Sequence, residues 1–519
     1  MANPNVRGLG GYNKADASVN KLFAAYENDV VDVTTGLGYG LALNTTTDVE
    51  FKTWADHVFL QNYDVTPLTF NGTLWSREYV GRSMTSKYMQ PFKSRMYLGY
   101  CKFTGPQTPL DASNNAIEFP SRVFYSELFQ GNSLNWGLEW GRNGASFSGD
   151  NRFDLTSTGG ALIQNFKTNN IKVGDPLFIT NGDSQLISGN PYSVASIENP
   201  YRLRLTTTLP VTATGLHYWV GRNWFDVGTD NGDYLTWLDE NNDTLTCYKR
   251  FSLHRYNGTS LQKVKDAPGT TYGRSVVNIG DLSIYFHGSN ANTRKTGFYA
   301  YNGGSSTLVS RSIQPYIDGI AASYYGSIVG WREGTKYRSY VDTITNSQRN
   351  ISVTKAVMTW DTGGGQWQID PIADTITAKG RWVQSGSEKE FIGTTDSEVM
   401  ETPLGNSHNG ADIPFALETG VRYPATSNVT NTFTRFKVVS RDAKGTQLLY
   451  KLYATPNDDD DQWNSLGEIG HNNQEFDVPN SHNYGSGVDL RFQEVGQKVN
   501  TLYIKKVAGF YIPITSKNT

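Results

Sequence analysis

At 519 residues, with 52 Gly, 30 Tyr and 12 Trp, the chain is too long for one ordinary core and too poor in helix-forming runs for a helical protein. A formal net charge of −3 excludes a broadly basic nucleic-acid-binding surface, while leaving room for a local patch or for a lumen that repels DNA. Aromatic rings and abundant turn formers together predict many short strands, hence an all-β fold.

The chain begins with no signal-peptide apolar region between Met1 and Lys14. Nowhere do about 18 consecutive apolar residues occur, so the sequence reads as a soluble protein that is not exported by the usual route. Residues 1–47 are expected to be an N-terminal extension or arm, holding one short helix from Val19 to Glu27 with Ser18 as its cap. Gly36-Leu37-Gly38-Tyr39-Gly40 lacks dinucleotide-binding spacing and a following βαβ unit, and reads as a flexible loop.

From residue 48 a pattern recurs in which a hydrophobic and aromatic strand runs into Asn or Asp and then Gly. It appears at Leu68-Thr69-Phe70-Asn71-Gly72, Leu253-His254-Arg255-Tyr256-Asn257-Gly258, Phe298-Tyr299-Ala300-Tyr301-Asn302-Gly303 and Val357-Met358-Thr359-Trp360-Asp361, with Gly363 shortly after. Asn or Asp before Gly accepts the backbone of a tight hairpin turn. The last three aromatics are spaced by about 45 and about 59 residues, near the period of a four-stranded propeller blade. Strand-like runs lie between them at Met96–Phe103, Arg122–Ser126, Leu245–Tyr248, Ser275–Ile279, Leu282–His287, Tyr337–Val341, Val353–Trp360 and Glu390–Gly393. Residues 48–145 and 222–402 are therefore read as a β-propeller of about six blades.

Residues 146–221 interrupt the repeat with short strands of their own, around Ile171–Ile179, Tyr192–Ile197, Arg202–Leu205 and His217–Val220. They predict a small inserted β-barrel or sandwich in a blade loop, where contacts can vary without disturbing the scaffold. After Thr402 a linker rich in Gly, Asn and Ser leads into alternating runs at Thr432–Val439, Leu448–Ala454, Val488–Phe492 and Leu502–Ile512. Residues 403–519 thus read as a C-terminal β-sandwich.

The chemistry-bearing residues form no recognised motif. Cys101 and Cys247 stand far apart with no further ligand nearby and read as buried free thiols. No phosphate-binding loop is present, and Gly485-Ser486-Gly487 is only a near-miss to a nucleophile elbow, in turn-rich sequence. His217, His254 and His287 fall in expected strands, and His408, His471 and His482 in expected loops. The acidic stretch Asp226–Asp243, with Asp230, Asp233, Asp239, Glu240 and Asp243, misses the register of a calcium loop and reads as solvated turns. Asp458-Asp459-Asp460-Asp461 reads as a solvated hairpin tip, with neutralisation by a divalent ion or a basic neighbour as the alternative. Trp136, Trp140 and Trp224 are candidates for sugar stacking or, more commonly, for buried packing. No catalytic, cofactor-binding or metal-binding residue is nominated, and the chain is expected not to be an enzyme. A glycan-processing propeller is the alternative that local motifs do not address, because its two carboxylates come from separate strands.

Several segments resemble the β-propeller tail proteins of bacteriophages, in particular the packaged-DNA-stabilising tail hub, or nozzle, proteins of short-tailed phages. They are His57–Asn62, Lys93–Gly99 followed by Ser121–Ser126, Leu245–Gly258, Val357–Asp361 leading to Gln366-Trp367, Phe415–Gly420 and Phe433–Phe436. The resemblance implies a structural virion protein, made in the cytoplasm of the bacterial host and located in the tail. It implies a homo-oligomeric ring, a hexamer, around the DNA exit channel of the head-tail connector, below the portal and its adaptor. Its implied partners are itself, portal-adaptor or other tail proteins, and tail fibres or spikes. Genomic DNA passes through the lumen during ejection without specific binding, with no cofactor and no membrane insertion. A receptor- or glycan-binding phage tail protein is the second reading.

Overall fold

The structure is a computed structural model. It describes residues 5–513 except 77–78, 81–83, 105–115, 117, 130–133, 157–165, 168–169, 182–184, 188, 229–231, 289–294, 350, 385, 403–406, 409–410, 413–415, 419–430, 442–445, 454–462, 470–472, 480–483, 486 and 495–502. The chain divides into two compact units, one of Met1–Leu308 with Ile376–Glu401 and one of Val309–Thr375 with Thr402–Thr519.

The first unit is a series of antiparallel meander sheets. Four-stranded sheets start at Val6–Asn13, Val49–Trp54, Met84–Phe92, Leu235–Asn241 and Val277–Ile279, and a three-stranded sheet starts at Ile376–Gln384. In the meanders whose strands follow directly, each strand pairs with the next in sequence, so turns joining first to second and third to fourth strands lie at one end of the sheet. The first strands converge. Arg274, just before the fifth sheet, donates to the Thr377 carbonyl of the last sheet at 2.7 Å, and Lys379 donates to the Val276 carbonyl at 2.6 Å. Four-stranded meanders whose first strands share an axis make this an all-β propeller.

The recurring Asn/Asp-Gly pattern has one structural meaning. Asn71, Asn257 and Asn302 each end the third strand of a sheet and accept, through Oδ1, backbone N–H bonds from two and three residues ahead. Gly72, Gly258 and Gly303 follow in the left-handed region, at φ 99°, 102° and 88°. The side chain thus supplies the turn's acceptor and the glycine its backbone freedom. Two of these hairpins are also held by the preceding sheet: Lys93 Nζ donates to the Asn257 carbonyl at 2.7 Å, and Arg255 Nη1 to the Gly303 carbonyl at 2.9 Å.

Residues 5–47 are not the arm expected for residues 1–47. Val6–Asn13, Asn20–Tyr26, Asp29–Asp32 and Leu37–Gly38 form a four-stranded sheet of the propeller pattern, and the expected helix at Val19–Glu27 is its second strand. Lys21, Leu22, Phe23, Ala24 and Ala25 are helix-tolerant residues, but burial of Leu22 through Ala25 on both faces overrides that preference. The first strand is glycine-rich because neighbours press on it from both sides. A Cβ at Gly10 would meet Phe51 Cβ at 2.3 Å, and one at Gly11 would meet the Arg381 carbonyl at 2.2 Å. Gly36 is the hairpin position before the fourth strand of the same sheet, at φ 72°, and Gly40 follows that strand at φ 67°.

The insertion leaves the third sheet between its third strand, Glu118–Tyr125, and its fourth, Trp224–Asp226. This is the connection that carries Asn-Gly hairpins elsewhere. Its strands Glu139–Ser146, Arg152–Leu155, Arg202–Leu205, Tyr192–Asn199, Pro176–Asn181 and Ala213–Val220 pair in that order, and the last pairs back to the first. The result is a closed barrel starting at Glu139 rather than Ser146, filled by residues including Phe153, Leu177, Val194, Leu203, Leu216 and Tyr218. Closure removes free strand edges. The barrel root shares a core with the third sheet, where Trp140 stacks on Phe103 at 4.0 Å between centroids.

In the second unit, Val329–Glu333, Lys336–Asn346, Ile351–Asp361 and Trp367–Pro371 form another four-stranded meander. Asp361 makes the same turn, accepting from Gly363 N at 2.9 Å and Gly364 N at 3.3 Å. The sequence boundary at residue 402 placed this sheet with the propeller, and its pattern fits there, but residues 309–375 belong to the second compact unit. Besides a two-stranded sheet of Ser407–His408 and Ala411–Asp412, the described strands that remain form two sheets, one holding Thr446–Tyr453 and Gly487–Glu494, the other holding Asn431–Arg441, Asn473–Asp477 and Tyr503–Pro513. Phe433, Phe436, Val438 and Phe476 meet Leu448, Tyr450, Val488 and Leu490 in one core, which makes this part a β-sandwich.

Candidate functional site

The motifs singled out in sequence do not converge. Cys101 and Cys247 are buried free thiols, raised by burial. His408 lies in the short strand Ser407–His408 rather than a loop. His471, His482, Ser486, Asp230 and the Asp458–Asp461 run lie outside the described residues. The acids of Asp226–Asp243 are not uniformly solvated. Asp226 receives Arg122 in a two-pronged bond at 2.7 and 2.9 Å, and Asp233 is buried. Among the described residues no three His, Cys, Asp or Glu side chains gather as a metal site requires. Trp136 and Trp140 are buried and offer no face to a sugar, while the Arg122 guanidinium lies 4.0 Å over the Trp224 ring.

One grouping has the composition of a nucleophile triad but different wiring. Ser252 Oγ lies 3.0 Å from Asp233 Oδ2 and 3.2 Å from His254 Nε2, and all three residues are buried. The serine stands between acid and histidine, so its proton is directed to Asp233, and among the described residues no acid is hydrogen-bonded to the imidazole to orient it for base catalysis. Asp233 also accepts the Phe251 backbone N–H. Buried Lys249 donates to the Val227 carbonyl at 2.8 Å. Burial foremost, then Lys249 and Lys263, lowers His254 to about 4. This network fastens the strand connections of the fourth sheet.

A second grouping lies where first strands converge. Lys52 pairs with Glu50 at 3.2 Å, and Glu50 accepts the Met89 N–H at 2.9 Å. Burial raises Glu50 and Asp239, opposed in each case by Lys52. Burial lowers Lys379 to about 7, against the pull of Asp239 and Glu390. Arg274 pairs with Asp48, and Arg381 with Glu390 at 2.7 Å. Such perturbed groups are what catalysis selects, but here Lys379 and Arg274 are engaged in bonds that join one sheet to another.

The third grouping is the candidate binding site, and nothing in the local sequence announces it. The third sheet pairs Ser86 with Cys101 and Tyr88 with Gly99, which sets Lys87 opposite Tyr100. Between Gly99 and Cys101 the pairing to the third strand slips by a bulge, and Tyr100 has φ 54°. A bulky side chain in that region costs about 1 to 3 kcal/mol and is retained only where its surroundings enforce it. The bulge aims Tyr100 so that its hydroxyl donates to Glu118 Oε2 at 3.4 Å and its ring lies 3.5 Å from Lys87 Nζ. Tyr63, from the second sheet, donates to Glu118 and faces Lys87 Nζ at 4.8 Å and Lys102 Nζ at 4.2 Å. Lys102 also pairs with Asp64. Tyr234 closes the group edge-on to Tyr100 at 6.0 Å. Burial first, then the Glu118 bond, raises the Tyr63 phenol far above its ordinary value, so it acts as a donor and not as an anion.

No family model matches the chain, and no curated protein matches it. Among solved structures, the chain is similar to BamB from Moraxella catarrhalis, at 10% identity and a TM-score of 0.32 over 75% of this chain and 95% of that one. It is similar to the phage phi92 endosialidase at 9% identity and a TM-score of 0.23 over 100% of this chain and 74% of that one. A mutant of Trypanosoma rangeli sialidase displaying trans-sialidase activity matches at 8% identity and a TM-score of 0.25 over 89% and 94% of the two chains. The fold assignment rests on the sheets and their pairing.

Proposed function

We propose that the chain is a structural protein of a bacteriophage tail, a tail hub or nozzle subunit that forms a homo-oligomeric ring around the DNA exit channel. The observation that carries this reading is the use of charge between sheets. Arg274, Lys379, Lys93 and Arg255 are all engaged on backbone carbonyls of other sheets, which suits a scaffold held rigid under load. The closed barrel, rooted on the third sheet, supplies a separate surface for neighbours without unpaired edges. In this reading a hexameric ring contacts the portal-adaptor and fibres or spikes, and carries no catalytic step. Native mass measurement of the full chain, alone and with neighbouring tail components, tests it. A ring-sized multiple in either condition supports the reading, and a monomer in both overturns it.

A receptor- or glycan-binding tail protein is the second reading, favoured by the tyrosine and lysine cluster on the second and third sheets.

A further inference from the structure

We propose that the Tyr63, Lys87, Tyr100 and Glu118 cluster binds a carboxylated sugar unit of a polysaccharide. The inference goes beyond the scaffold role and survives its failure, because it concerns one subunit.

Three observations meet here. The backbone at Tyr100 is held at φ 54° on a bulge within a paired strand, an arrangement that aims its ring. Lys87 is partly exposed, and its ammonium is given ring contacts, at 3.5 and 4.8 Å, with no hydrogen bond or ion pair among the described residues. Its three donors are therefore available to a carboxylate. Beside it, Asp64 and Glu118 are exposed carboxylates that accept hydroxyl protons, and Tyr63, Tyr100 and Tyr234 supply ring surface for the apolar face of a sugar.

The charge balance selects among anions. Lys87 and Lys102 are matched by Asp64 and Glu118, so the cluster is neutral overall and does not attract a polyphosphate backbone. A single carboxylate on a hydroxyl-rich ring meets the Lys87 ammonium, while ring hydroxyls can add to Asp64, which already accepts from Asn44 and Lys102, and to Glu118, which already accepts from Tyr63 and Tyr100. Desolvation by burial lowers the Lys87 ammonium, opposed by the attraction of Glu118, with Lys102 adding repulsion and Asp64 further attraction, and an entering carboxylate adds one more attraction that favours the charged form.

Saturation-transfer NMR on the full chain tests this, with sodium glucuronate and sodium N-acetylneuraminate as probes, glucose as the neutral control and inorganic phosphate as competitor. Transfer to at least one acidic sugar and none to glucose is expected, surviving equimolar phosphate. Lys87→Met should reduce the signal at least fivefold. Tyr100→Gly should do the same without lowering the thermal midpoint, since glycine accepts the positive φ. It decides the matter should Lys87→Met unfold. No transfer to either acid, equal transfer to glucose, displacement by equimolar phosphate, or undiminished transfer in a folded variant overturns the proposal. A ring-forming chain that fails here loses this inference alone.

Discussion

Acidification from pH 8 to pH 5 destabilises the propeller unit through His254. The imidazole is buried, its folded value is about 4 and its ordinary value is 6.5. A base whose folded value is depressed stabilises the fold fully above the unfolded value, and that contribution is lost as pH falls from 6.5 towards 4, because the unfolded chain binds the proton first. At pH 5 the unfolded state gains a factor of roughly 30, or about 2 kcal/mol, and at pH 4 about 3 kcal/mol. His254→Gln keeps an amide donor for Ser252 and removes the titration. Guanidinium unfolding of the full chain, followed by tryptophan fluorescence at pH 8 and pH 5, gives the comparison. Titrating carboxylates affect both proteins, so the difference between them isolates His254. The wild type should lose about 2 kcal/mol more than the variant between the two pH values. Parallel losses, within about 0.5 kcal/mol, refute the assignment of a buried, depressed imidazole.

Gly10→Ala and Gly11→Ala should each cost about 1 to 3 kcal/mol in the same unfolding assay, because each new methyl meets atoms 2.3 and 2.2 Å away, whereas Gly363→Ala, with its nearest atom at 3.5 Å, should be near neutral. Asn257→Ala should cost about 1 kcal/mol by stripping the acceptor from two backbone N–H groups, with Asn257→Asp largely restoring it. Arg122→Lys keeps the charge but loses the paired bond to Asp226 and the guanidinium face over Trp224, and should cost about 1 kcal/mol in thermal unfolding.

The repeat was legible because its information is local. Asn71, Asn257, Asn302 and Asp361 make their turns with their own side chains, so the sequence pattern and the hairpin are one chemical fact. The barrel and the sandwich were legible for a related reason, since alternation at Arg202–Leu205 or Asn431–Arg441 reflects faces set within the strand. The first sheet was not. Its opening strand carries Gly8, Gly10 and Gly11 because neighbouring sheets crowd it, and glycine in isolation reads as loop. Its second strand is buried on successive residues, so period-two alternation is missing. About six blades were expected. The first unit holds six sheets of the pattern once Val6–Gly38 is included, and the second unit holds another at residues 329–371. The candidate site was invisible because Tyr63 comes from a turn and Lys87, Tyr100 and Glu118 from three different strands, and no sequence rule marks Tyr100 for a positive φ.

Electron microscopy of the purified full chain should show closed rings with an axial opening, their symmetry matching the mass of the assembly. Fields of single, separate particles, at concentrations and with tail components that permit assembly, would contradict the ring.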